Sequence, residues 1–333
     1  MDPVTQGALG AAWAQCGERG DKYKRAAYLG LLGGVLPDAD VLIRSSSDSL
    51  LFLEYHRHFT HSLAFIPVGG LIAALLVYAL SRTKISLREA YWPCTLGYAS
   101  HGLLDSCTSY GTHLLWPFSH AREAWGTISI VDPVFTLVLI VGVVLAARRV
   151  ARKPAVVAMA FACLYMALGA FQSHRAQTAQ EALAELRGHE IERGDVRPSI
   201  GQNILYRAYY EYDGRYYADA IRVGWFSSPT VYEGESIEKL DEDAFWQEYQ
   251  KSETKDFDVE RFRFFSDGYL VRHPKYPSMI GDFRYAAIPN AIDPMWGIDV
   301  DTEDPEDHAT FRNVSRESLV DRRSLYLDML LGR

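Results

Sequence analysis

Six of the ten histidines fall between positions 56 and 120, and aspartates punctuate the same stretch. Leu36-Pro37-Asp38-Ala39-Asp40 closes a short apolar segment with two carboxylates. His56-Arg57-His58-Phe59-Thr60-His61-Ser62 opens a long apolar run. His101-Gly102-Leu103-Leu104-Asp105 sets an imidazole and a carboxylate four residues apart, on one face of a helix. Asp132-Pro133 begins a further apolar run. Imidazole nitrogen and carboxylate oxygen together suit zinc, manganese or iron rather than calcium, which takes oxygen. The sequence has no GxSxG elbow, P-loop or HEXXH motif, so a divalent metal is the expected centre of any chemistry. Arg57 and Arg122 are candidates to hold an anionic substrate or to snorkel towards lipid headgroups.

The elements that must position these motifs are apolar. Ala64–Leu80, Pro133–Ala147 and Ala155–Phe171 are uncharged runs near the lower limit of about 17–25 residues for a spanning helix. A fourth, Ala90–Cys107, is interrupted by His101 and Asp105. Val4–Ala14 and Ala26–Leu36 are rich in small residues and read as short or re-entrant helices. The fold class expected is a helical integral membrane domain over 1–171, with about four spanning helices and two short N-terminal ones. Basic clusters at 16–25, 81–89 and 148–153 should face the cytoplasm. Alternation then puts all four motifs at the opposite interface, where polar groups are costly unless they line a functional cavity. Met1-Asp2-Pro3 lacks the basic lead of a cleavable signal peptide, so the first membrane segments are expected to serve as the signal.

Residues 1–171 carry 14 Lys and Arg against 11 Asp and Glu, while residues 172–333 carry 20 against 31. A formal charge of -8 argues against a nucleic-acid partner, which would demand a basic footprint. The four cysteines all lie in the apolar half with no CxxC pair and read as buried thiols. Gln172–Gly188 reads as a polar helix leaving the membrane. Beyond it, 172–333 reads as a smaller, sheet-rich α+β domain, extracytoplasmic by the same charge rule. Asp213-Gly214 between Tyr-rich alternating segments predicts a hairpin in a sheet half exposed to water. Further strands are expected at Arg261–Phe265, Tyr269–Arg272 and Gly281–Ile288, and the acidic stretch Asp299–Asp307 reads as a solvated loop.

MDPVTQGALGAA, LPDAD, HRHFTHS, HGLLDSCTSYGTHLLWPFS and IVDP, in that order, resemble the YdjM-like family of inner-membrane metal-dependent hydrolases over residues 1–171. The resemblance implies a metal-binding set of Asp38, Asp40, His56, His61, His101 and Asp105, with Asp132 as an addition. Many relatives open with D-x-x-T-H, whereas Gln6 stands here in place of the histidine. The family is distantly similar to zinc-dependent phospholipase C and single-strand nucleases, a fold-level analogy that fixes no substrate. The expected activity is metal-dependent hydrolysis of a phosphoester or lipid-derived substrate at the outer face of the cytoplasmic membrane. Zinc is the first candidate metal; His101 is the expected catalytic ligand and Asp40 the general base. The alternatives are a metal carrier, or a non-enzymatic metal-binding scaffold in contact with membrane lipids.

Overall fold

The computed structural model describes residues 1–18, 20–80 and 85–333. Arg19, Arg82 and Lys84, which contribute to the expected orientation, lie outside the described residues. The chain divides into two compact units. The first holds Met1–Leu42, Tyr55–Phe171 and Ile200–Asn203; the second holds Ile43–Glu54, Gln172–Ser199 and Ile204–Arg333. The segment Ile43–Glu54, expected within the helical domain, therefore packs in the second unit.

The helices of the apolar half begin where capping chemistry allows. Helix α1 (Pro3–Gly17) has Asp2 as its N-cap and Pro3 in its first turn; α2 is Tyr23–Val35. A 3-10 turn, Leu36–Leu42, carries Asp38 and Asp40, and the short helix α3 (Leu51–Tyr55) precedes a second 3-10 turn, Phe59–His61. Helix α4 is Ile66–Leu80; α5 (Leu87–Ser106) starts in a Ser86–Glu89 capping box and α6 (Pro133–Arg149) on Asp132. Helix α7 runs unbroken from Lys153 to Leu186, so the apolar run and the polar helix expected after it are one element.

Two helical segments among the described residues are long and apolar enough to cross a membrane, Leu63–Leu80 and Lys153–Leu186. Only 28% of the most apolar window of each is buried, the reverse of a soluble core helix. Leu71, Leu75 and Leu76 on α4 and Val157 and Leu164 on α7 all face outward. Helix α6, at 17 residues, and the more polar α5 do not join them. The core of this unit is built by Leu9, Ala12, Leu104, Phe135, Leu139 and Tyr165 from α1, α5, α6 and α7. Elsewhere α2 and α5 touch backbone to backbone: a Cβ on Gly97 would lie 2.1 Å from the Gly30 carbonyl oxygen. That approach brings the Gly34 carbonyl within reach of His101.

The second unit is antiparallel throughout. Strands β1 (Arg193–Pro198), β2 (Leu205–Tyr212), β3 (Arg215–Arg222) and β4 (Thr230–Tyr232) form a sheet in that order, with β5 (Ser236–Glu238) also on β3. Tyr212 pairs with Arg215 across a two-residue turn, and positive φ at Asp213 (49°) and Gly214 (70°) gives the expected hairpin. Unlike the half-exposed sheet expected, this one is covered on both faces. Tyr206, Ala208 and Ile221 pack with Ala176 of α7, while Tyr209, Tyr216 and Ala218 pack with Tyr269, Val271 and Phe283. Helices α8 (Glu242–Glu248) and α9 (Glu253–Phe265) come next. Arg261–Phe265 is thus helical rather than a strand, because Ser252 caps α9 and its buried residues recur at Lys255, Asp258, Val259, Phe262 and Phe265. Strands β6 (Leu270–Arg272), β7 (Met279–Asp282), β8 (Trp296–Asp299) and β9 (Thr310–Asn313) make a second sheet, and α10 (Ser315–Leu331) ends the fold.

Candidate metal centre

Four of the motif residues converge on one point in the first unit. Asp38 Oδ1 lies 3.5 Å from His61 Nε2 and 3.2 Å from His101 Nε2, while Asp105 Oδ2 lies 3.3 and 3.6 Å from the same two nitrogens. Donors bound at 2.0–2.1 Å around one tetrahedral ion are separated by roughly 3.3–3.4 Å. Direct imidazolium–carboxylate hydrogen bonds would close to about 2.7–2.9 Å. Separations of 3.2–3.6 Å would fit donors around one such ion.

The second nitrogen of each ring decides whether these atoms could serve as donors to an ion. His101 Nδ1 donates to the Gly34 carbonyl at 2.6 Å, a group that only accepts, which leaves a lone pair on Nε2. His61 Nδ1 faces Asp40 Oδ2 at 3.2 Å and the Thr60 hydroxyl at 3.0 Å, and that hydroxyl donates to Asp40. His61 Nε2, His101 Nε2 and Asp105 Oδ2 are buried and have no hydrogen bond. Asp105 Oδ2 has the Arg57 guanidinium 3.0 Å away, which leaves the two imidazole nitrogens as the buried acceptors that are costly without a cation beside them. The side chains of His61, His101 and Asp105 are fully buried, whereas Asp38 is 20% exposed and forms the solvent side.

Asp40, expected as a ligand and general base, is engaged by hydrogen bonds in this structure. Its oxygens accept from His56 Nδ1 (2.9 Å), the Arg57 amide (3.0 Å) and the Thr60 hydroxyl (2.9 Å) as well as from His61. Asp40 also stands in a second donor group with Asp38 and His56, but its acceptors are already engaged. It orients His61 and His56, as carboxylates behind metal-bound histidines do. Burial disfavours its charge, yet the hydrogen bonds from His56 and His61 outweigh that and hold its pKa below the ordinary value. His56, 21% exposed, stands at the mouth, its ring 6.1 Å from that of Tyr110.

Asp105 is held from behind. Its Oδ1 accepts from the Met1 amino group and from Gln6 Nε2 at 2.8 Å. Gln6 therefore braces a candidate ligand through its Nε2, while its own Oε1 is buried without a hydrogen bond. Arg57 Nε lies 3.0 Å from Asp105 Oδ2, and Arg57 Nη1 donates to Thr108 at 2.9 Å. Arg57 is buried with a φ of 63°, a strained backbone for a non-glycine residue. Asp132 is not part of the cluster. Its Oδ1 caps α6 through the amides of Val134 and Phe135, and its Oδ2 accepts from Tyr165 at 2.7 Å. Aspartate before proline at an apolar helix start is a capping signal, and that is the role it fills. Sequence reasoning misses Thr60, the Gly34 carbonyl and the Met1 amine, although Thr60 lies inside the HRHFTHS motif.

A helical unit with outward-facing apolar residues on two long helices and a buried imidazole–carboxylate cluster fits a membrane protein with a candidate metal centre. The chain belongs to the YdjM inner membrane protein family, which matches residues 1–176. It is 34% identical over 110 residues to inner membrane protein YbcI of Escherichia coli (strain K12), covering 32% of this chain. The matched stretch spans 62% of that relative's length. No solved structure matches the chain.

Proposed function

We propose that the protein is a multi-pass inner-membrane hydrolase that uses one divalent ion, zinc first, on a phosphoester or lipid-derived substrate at the outer face of the membrane. The observation that carries this reading is the set of four donors spaced 3.2–3.6 Å apart, two of them buried imidazole nitrogens without a hydrogen bond, with Asp38 on the solvent side. His61, His101, Asp38 and Asp105 would hold the ion. When bound, it supplies Lewis-acid polarisation of the substrate and activation of a water. His56, fixed by Asp40 at the mouth, is placed to take a proton from a group entering there. Arg57 offsets the negative charge that three aspartates gather in a small volume. In this reading the Lys and Arg of 148–153 support a cytoplasmic turn, the residues after Gln172 would lie outside, and α4 to α7 would be the spans.

Four protein donors also favour a second reading, a structural metal in a non-enzymatic scaffold, since closed shells typify structural zinc. Metal analysis of the detergent-purified chain, joined to a panel of phosphoester and lipid substrates, separates the two. About one equivalent of ion, lost in His61→Ala, with turnover that falls in parallel supports the hydrolase. Stoichiometric metal with no turnover on any substrate supports the scaffold, and unchanged metal content in His61→Ala and His101→Ala refutes both.

A further inference from the structure

We propose that the loop after α5 forms an anion subsite, built by Arg122, His113 and His58, that receives a phosphate group beside the donor cluster. This inference names the substrate class of the site described above and rests on that reading. Its geometry starts at Gly111, whose φ of 96° turns the chain and whose missing Cβ leaves room for Arg122; a Cβ there would meet the Arg122 side chain at 3.1–3.3 Å. Arg122 Nη2 donates to the carbonyls of Tyr110 (2.9 Å) and Gly111 (3.4 Å), so backbone atoms fix the plane of the guanidinium. Reciprocal hydrogen bonds between Thr112 and Glu123, 3.0 and 2.8 Å, clamp the two ends of the loop together. The amide of His113 donates to the Arg57 carbonyl at 3.0 Å, which ties the loop to the HRHFTHS motif, and the His58 and His113 rings lie 4.6 Å apart.

The same loop reaches the metal centre through Tyr110. Its ring has Arg57 at 4.9 Å and Arg122 at 5.4 Å, and it faces His56 at the mouth. A guanidinium fixed on the loop that also carries His113 suits a phosphate, whose oxygens accept planar, charge-assisted donors. Burial and the neighbouring His58, Arg122 and His120 push His113 down to about 4, so at neutral pH the positive charge is carried by Arg122 while His113 is neutral.

The test is calorimetric titration of the full chain in detergent with inorganic phosphate, zinc-loaded and after chelator treatment. Arg122→Gln retains an amide donor for the Tyr110 and Gly111 carbonyls but removes the charge. It should weaken phosphate binding on the order of 10–100-fold, the range for a hydrogen bond to a charged group, with metal content unchanged. His113→Ala should weaken it less, and Arg122→Lys should recover only part of the loss. Phosphate binding that survives metal removal and falls in Arg122→Gln supports the subsite even where the hydrolase reading fails. Binding that vanishes with the metal and ignores Arg122 and His113 overturns the subsite and leaves the hydrolase reading standing. Flotation on phosphatidylcholine vesicles with and without phosphatidic acid identifies the source. An Arg122-dependent gain on the phosphatidic acid vesicles assigns a lipid headgroup, and an Arg122-dependent affinity for inorganic phosphate alone assigns a soluble one.

Discussion

Asp40→Asn isolates the orienting function of a carboxylate that the geometry withholds from the ion. Asp40 accepts four hydrogen bonds, from His56, His61, Thr60 and the Arg57 amide. An asparagine keeps one carbonyl oxygen and turns an NH2 group towards donors on the other side. If that NH2 faces His61, the ring must accept at Nδ1 and carry its proton on Nε2, the atom that should hold the metal. Loss of such a supporting carboxylate costs about 10–100-fold in metal affinity, or about 1.4–2.7 kcal/mol. His61→Ala, which deletes a donor outright, should cost more. The assay is zinc competition against a chromophoric chelator on the detergent-purified chain, with circular dichroism melts as a control for folding. Wild-type affinity in Asp40→Asn would refute the orienting role. A loss equal to that of His61→Ala would return Asp40 to the ligand set.

Asp132→Ala should lower stability by about 1–3 kcal/mol through the lost helix cap and the Tyr165 hydrogen bond, with metal stoichiometry unchanged; a drop in bound metal would place Asp132 back in the centre. Gly102→Ala puts a Cβ 2.1 Å from the His61 carbonyl oxygen, so α5 must shift, and both metal content and melting temperature should fall together. In the second unit, Arg261 binds both oxygens of Asp48 at 2.8 and 2.9 Å. Burial opposes ionisation of Asp48, but the bonds from Arg261 prevail and its folded pKa is lowered. Its contribution, about 1–2 kcal/mol after discounting for the retained Arg261–Asp258 contact, is therefore present above the unfolded value of about 3.9 and lost as pH falls through the lower folded value. Denaturation of Asp48→Asn and wild type across that range should show a gap at neutral pH that closes in acid; a constant gap would refute the ion-pair account.

Local periodicity and capping carry the part of the fold that is legible in the sequence. The apolar runs form α4, α6 and the start of α7, Asp213-Gly214 forms a two-residue hairpin turn, and the small-residue segments form α1 and α2. Arg261–Phe265 misleads because five residues with two phenylalanines and alternating arginines satisfy a strand as well as a helix. Only the longer window from Ser252, with its cap and its recurring buried positions, separates the two. The sheet's covered faces are equally out of reach, since tyrosine alternation looks the same whether the outward ring meets water or a second sheet. Span counting is limited by the same ambiguity: α5 gives up hydropathy to carry His101 and Asp105, so the helix most involved in the site is the one least recognisable as membrane-spanning.

The candidate site is legible as a set of residues but not as a division of roles. Asp38 and Asp40 look equivalent in LPDAD, yet on their 3-10 turn residues two apart are rotated by about 240°, so the two carboxylates meet different partners even though both stand with His56 in one donor group. One therefore turns towards the two imidazole nitrogens and the other towards the backs of His56 and His61. His101 and Asp105, four apart on an α-helix, do converge, which is why their pairing can be read directly. Gln6 obeys the same logic one layer further out. It comes from α1, a segment remote in sequence, and an amide that donates to Asp105 can brace that ligand without competing for the ion. Where the resemblance leads one to expect a histidine, Gln6 thus offers a hydrogen-bond donor to Asp105 in place of a ring nitrogen. Restoring the histidine by Gln6→His tests this directly. A second equivalent of bound metal would make position 6 a ligand in waiting, and an unchanged stoichiometry with weakened affinity would confirm that the amide's work is to hold Asp105.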